Sequence, residues 1–230
     1  MPRQTFEREL QQLHDRILIL GSMVEEAISR SVDCLKRRDH ELARQIIAED
    51  SRLNAVRFEI EDQTLTVIAT QQPVAGDLRT LAAILEIALE LERIGDYAKG
   101  IATISLMIGD EPLIKPLVDI PRMATLAQSM MRRALQAFVE HNVVLARSIP
   151  TEDDEVDALY NQVYRELLTH IIANPRVIEQ SNYLLWAAHN LERAADRVVN
   201  ICERVVFTVT GELTELGSHL QPQVGDVAPH

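Results

Sequence analysis

Along most of the chain, apolar residues recur at intervals of three and four, the spacing that gives a helix one buried face. The pattern is interrupted at few places: Gln71-Gln72-Pro73 with Gly76, the stretch from Gly109 to Pro121 with its three prolines, Pro150, Asn174-Pro175, and Gly211. Proline removes a helix donor and glycine accepts the left-handed cap, so these are natural stops. The segments between them predict helices over 5–37, 39–70, 74–108, 120–148, 151–173 and 176–210. Six long helices in two sets of three predict an all-α protein of two tandem three-helix bundles. The first bundle is expected over 1–112, the second over 113–212, with a flexible tail over 213–230.

The second half repeats the first. Leu85, Ala88, Leu91, Glu92, Arg93, Asp96 and Ile101 recur as Leu185, Ala188, Leu191, Glu192, Arg193, Asp196 and Ile201, an offset of 100. Earlier in each half, Leu42-Ala43-Arg44, Asp50 and Asn54 correspond at an offset of 103 to Leu145-Ala146-Arg147, Asp153 and Asp157, and Pro73 has its counterpart in Pro175. A small drift in offset is what loop insertions produce, so the chain reads as a tandem duplication.

The duplicated feature with chemical content is Leu-Glu-Arg-x-x-Asp. On a wheel at about 100° per residue, Glu92 and Asp96 continue the apolar stripe of Leu81, Leu85 and Ala88. Glu192 and Asp196 do the same with Leu185, Ala188 and Val199. The helix before each adds acids to its own inward stripe: Asp50 beside Asn54 in the first half, Asp153 and Asp157 in the second. Like charges four residues apart on a helix cost roughly 0.2–0.5 kcal/mol, and carboxylates at a half-buried seam cost more unless neutralised. Two remedies fit the sequence. Arg93 and Arg193, with arginines of neighbouring helices, form salt bridges, or a cation binds, and an oxygen-only donor set suits Mg, Mn or Fe and accepts Zn.

Charge and composition narrow the partners. Net charge is -12 over 230 residues, with only 8 Gly and 4% aromatics, which fits helices and disfavours nucleic acid, whose phosphates need a basic field. Cys34 and Cys202 have no close-spaced partner, so they read as reduced helix-packing residues in an intracellular setting. The amino-terminal MPRQTFEREL lacks the apolar centre of a signal peptide. The greasiest stretch, Leu78 to Ile94, is broken by Arg79, Glu86, Glu90 and Glu92, so no span of about 20 apolar residues exists and a cytoplasmic location is expected. His189, one turn before Glu192, is a candidate further ligand, but no Glu-x-x-His pair of the di-iron bundles recurs, and no phosphate loop or nucleophile triad is present, so no enzyme activity is expected. The apolar run Ile17-Leu18-Ile19-Leu20 shows more than one face of the first helix and makes a homodimer an expectation.

Gln72-Pro73-Val74-Ala75-Gly76-Asp77-Leu78-Arg79, followed by Leu91-Glu92-Arg93-Ile94-Gly95-Asp96, closely resembles the hallmark of the PhoU family of bacterial phosphate-uptake regulators, over nearly the whole chain. The resemblance implies a negative regulator of phosphate uptake and of the phosphate-starvation response. Such a protein is an adaptor between the ATPase subunit of the phosphate ABC transporter and the phosphate sensor histidine kinase, meeting the membrane only through those partners. It also implies metal ions held by the Glu-x-x-x-Asp motifs, which fall on Glu92 with Asp96 and on Glu192 with Asp196. Asp50, Asp153 and Asp157 are the additional ligands expected beside them, whereas Asn54 departs from the acid of the second half. The second half also lacks the Asp-Leu-Arg triplet, and Asp77 with Arg79 is expected to fix the start of the third helix. Two other readings remain beside this one: a metal-free helical scaffold or dimerisation module of a paralogous transport system, and a carboxylate-bridged metalloenzyme.

Overall fold

Two short turns, copies of one another, set the layout of both halves. Asp39 and Asn142 each accept a hydrogen bond at 3.0 Å from the backbone N–H three residues on, of Leu42 and Leu145 respectively. Such caps satisfy donors that the first helical turn leaves open. Each follows a residue of positive φ, Arg38 at 57° and His141 at 51°. The pairs 38/141, 39/142 and 42/145 keep the offset of 103 seen in the sequence.

The computed structural model describes residues 2–217. They form α1 (Pro2–Arg37), α2 (His40–Gln71), α3 (Ala75–Ile108), α4 (Asp119–Val139), α5 (Val143–Ser148), α6 (Asp153–Ala173) and α7 (Ile178–Thr210), with 3-10 turns at Pro150–Glu152 and Pro175–Val177. No strand occurs among the described residues. The six long helices are those expected, with one correction. The helix predicted over 120–148 ends at Val139, the chain reverses through Glu140, His141 and Asn142, and α5 begins the next element. By the duplication, α5 and α6 together are the copy of α2. Pro150, lacking an N–H, interrupts that copy, so a helix continuous in the first half is jointed in the second. Gly109 (φ 68°) and Gly211 (φ 78°) end α3 and α7 in conformations that favour glycine.

Within the first half α1, α2 and α3 pack mutually, and within the second α4, α6 and α7 do so, with α5 against α4 and α7. The halves meet through α3 on α7 and α1 on α4. Helices α3 and α7 run antiparallel: Glu86 pairs with Arg204 at 2.9 Å, Asn200 donates to Glu90 at 3.2 Å, and Arg197 donates to the Tyr97 hydroxyl at 3.3 Å. Further along, Gly100 faces Asn190 closely enough that an added Cβ would meet its amide at 3.1 Å. Residues 90 and 200 map onto 190 and 100 under the repeat, so the seam has a local twofold relation.

One hydrophobic cluster runs through both halves, from Leu13, Ile17 and Leu20 of α1 through Leu81, Ile84 and Leu91 of α3 to Phe138 of α4 and Leu184 and Leu191 of α7. Burial of each such side chain stabilises the fold by about 1.5–3 kcal/mol. The apolar run on α1 divides: Ile17 and Leu20 are fully buried, while Leu18 and Ile19 are 39% and 56% exposed. Cys34 and Cys202 are buried and unbridged, and burial pushes their thiols up to about 11 and about 12. Val74, not Asp77, occupies the N-cap of α3 and makes no side-chain cap bond, while Asp77 lies in the first turn, where a carboxylate suits the helix dipole. The Arg79 guanidinium lies against Gly211 at the end of α7. Past that point, Leu216 N–H donates to Glu203 at 2.9 Å, and residues 218–230 of the expected tail lie outside the described residues.

Candidate functional site

The acid-bearing stripes of α2 and α3 face one another, as do those of α6 and α7. In the first half, Asp50 on α2 is buried and its Oδ2 accepts from Lys99 Nζ at 2.8 Å and from Asn54 Nδ2 at 3.2 Å. Lys99, one turn beyond Asp96 on α3, also lies 3.7 Å from Asp96 Oδ1. The hydrogen bond to Asp50 is the main reason the Lys99 ammonium is held above its usual range. Glu92 is raised, first by burial and then by Asp96, against an opposing field from Arg57. Asp50, Glu92 and Asp96 are thus brought together as the sequence suggested, and the ammonium of Lys99 already sits between two of them.

The second half assembles Asp153 and Asp157 of α6 with Glu192 and Asp196 of α7. Asp153 is raised to about 7, first by burial and then by the charges of Asp196, Asp157 and Glu192. Asp157, Glu192 and Asp196 are raised too, burial being the largest cause in each. Asp153 Oδ1 and Glu192 Oε2 are buried without a hydrogen-bond partner. His189 Nδ1 stands 3.0 Å from that Glu192 oxygen, near enough for an ion pair when the imidazole is protonated. Among the described residues, no lysine or arginine forms an ion pair with any of the four acids.

The arginines of the motif do not sit on its acids. Arg93 pairs with Glu90 at 2.9 Å, and Arg193 stacks over Tyr97, 4.9 Å from the ring centre. Arg193 and Arg197, which reaches Glu90 at 3.5 Å, cross the seam from α7 to α3, while the Arg93 pair stays within α3. Their charge reaches Glu92 and Asp196 only through space.

The donor sets therefore differ in their fit to a metal ion. Four carboxylates with two orphaned buried oxygens suit a hard cation, whereas the first half presents an ammonium and an amide donor among its carboxylates. Among the described residues no three His, Cys, Asp or Glu side chains stand in a ready coordination shell. Lys99 was the functional residue the acidic pattern concealed. Its signal was available, since it lies on the stripe of Glu92 and Asp96 and its copy, Val199, is apolar.

The PhoU domain profile matches residues 17–105 and 120–205, once in each half of this arrangement. The chain belongs to the PhoU family. Among its PhoU relatives, the phosphate-specific transport system accessory protein PhoU homolog of Clostridium acetobutylicum is 34% identical over 217 residues, spanning 94% of this chain and 99% of that protein. The protein of the same description from Caulobacter vibrioides is 36% identical over 210 residues, spanning 91% of both. The crystal structure of the phosphate transport system regulatory protein PhoU from Streptococcus pneumoniae superposes with a TM-score of 0.85 at 33% identity, covering 92% of this chain and 100% of that one. PhoU from Pseudomonas aeruginosa gives 0.84 at 31% identity, covering 90% and 100%. No helix among the described residues is long and apolar enough to cross a membrane.

Proposed function

We propose that this chain is a cytoplasmic negative regulator of phosphate uptake and of the phosphate-starvation response. It acts as an adaptor that joins the ATPase subunit of the phosphate ABC transporter to the phosphate sensor histidine kinase. The observation that carries this reading is the PhoU domain match in both halves, supported by relatives of nearly the same length whose names place them in phosphate transport. The net charge of -12 suits basic protein surfaces better than nucleic acid. The exposed Leu18 and Ile19 of α1 support self-association as a homodimer.

A metal ion at the carboxylates belongs to the same proposal. Fe, Zn, Mn and Mg all accept oxygen ligands, and the ion would neutralise acids that the fold otherwise holds together at a cost. Asp153, Asp157, Glu192 and Asp196 would hold it, tightening α6 on α7.

The reading is tested in the host organism by deleting the gene and following a starvation-response reporter in high phosphate. The expected result is a reporter that stays on without the gene and is silenced again by the restored wild-type copy, with the transporter ATPase co-purifying with the tagged protein. A reporter that still responds normally to phosphate in the deletion strain would remove the regulatory role.

A further inference from the structure

The repeat allows each acid to be compared with its own copy. Asp50 and Asp153, Glu92 and Glu192, and Asp96 and Asp196 are matched pairs. Around them the charges differ: three changes make the second half more acidic, while Leu89 becoming His189 and Tyr97 becoming Arg197 add basic groups whose charges reach Glu192 and Asp196. Asn54 becomes Asp157 and Arg57 becomes Tyr160 at the offset of 103, and Lys99 becomes Val199 at the offset of 100. The first half thus has three carboxylates, an ammonium in contact with two of them, and Arg57 nearby, whose charge is shared with Glu61 at 3.3 Å. The second half has four carboxylates, a buried Val199 where the ammonium would be, and His189 as its neighbouring basic group.

We propose that the two halves are a locked and an open version of one site: Lys99 is the permanent cation of the first, and a divalent metal ion occupies only the second. This rests on the metal reading given above. A tethered ammonium is present at a high effective concentration whatever the ion content of the medium. A dication entering the first half would have to displace Lys99 from Asp50 and then share the site with it, against direct Coulomb repulsion. In the second half Asp153 Oδ1 faces no ammonium, and Glu192 Oε2 has only the His189 imidazole, 3.0 Å away, beside it. The duplicated architecture would then respond to metal on one side only, α6 against α7, while α2 against α3 is held closed at all times.

Calorimetric titration of the chelator-stripped full chain with Mn2+ tests this. Wild type is expected to bind, and Glu192→Gln/Asp196→Asn to bind about tenfold more weakly or not at all. Asn54→Asp/Lys99→Val is expected to gain an additional binding event absent from wild type. Should that double variant lose its helical circular dichroism, Lys99→Gln, which keeps a hydrogen-bond donor near Asp50 but removes the charge, carries the same expectation. Wild-type binding that survives Glu192→Gln/Asp196→Asn, or folded Lys99 variants that gain nothing, would overturn the division between the halves while leaving metal binding intact. A wild-type chain that binds no Mn2+ would instead overturn the metal reading itself.

Discussion

A carboxyl group held half-buried among other acids is easier to protonate in the folded chain than in the unfolded one, and Asp153 shows the sign of the consequence. Its pKa rises from an ordinary 3.8 to about 7. Between those values the native state binds more protons than the unfolded state, so this group's contribution to stability is greatest below about pH 4 and is lost as pH rises towards 7. Asp157, Glu192 and Asp196 are shifted in the same direction and add to the slope. In metal-free protein, the melting temperature of Asp153→Asn relative to wild type should therefore improve as pH is raised from 5 to about 8. Thermal unfolding of both proteins across that range is the measurement, and a difference independent of pH would mean that Asp153 is not held in this way. Lys99 shows the opposite remedy for the same strain, a partner in place of a proton.

At the scale of elements, the repeated caps give a quantitative comparison. Asp39→Ala and Asn142→Ala each remove one side-chain acceptor from a helix start, so each should cost about 1 kcal/mol in urea unfolding. A cost confined to one of them would mean that the two turns do different structural work. These turns also show why helix existence was legible and one boundary was not. Long apolar periodicity and the stops at Pro73, Gly109 and Gly211 marked most ends, because those residues impose their conformations locally. The reversal after Val139 is made by His141, a residue that does not announce a positive φ, and Pro150 a few residues later offered a stronger but misplaced stop. The match of Leu145-Ala146-Arg147 to Leu42-Ala43-Arg44 held the correct answer, since it aligns α5 with the start of α2. The acids were legible for a similar reason: period and repetition expose a stripe. Which cation answers each acid was not, because Arg93 takes Glu90 on its own helix and Arg193 turns to Tyr97 across the α3–α7 seam, a contact set by packing between distant segments.

For the whole molecule, the seam decides whether two repeated halves behave as two domains or one. The inner faces of α3 and α7 cover each other, Glu90 is buried against Arg197 and Asn200 of the other half, and the apolar cluster is continuous across the boundary. Either half alone would expose that face and leave Glu90 without its cross-seam partners, so separate unfolding is unfavourable and one cooperative transition is expected. Ile60 on α2 tests this at a distance: it is fully buried, and α2 packs on α1 and α3, away from the second half. Trp186 on α7, the chain's single tryptophan and 52% exposed, reports the second half by fluorescence. Ile60→Ala should lower stability by about 2–5 kcal/mol, and the Trp186 transition should shift to lower urea together with the loss of helical circular dichroism. A Trp186 midpoint that stays at its wild-type value while the dichroism splits into two steps would show that the halves unfold independently, and would place the coupling between them in their partners and not in the fold.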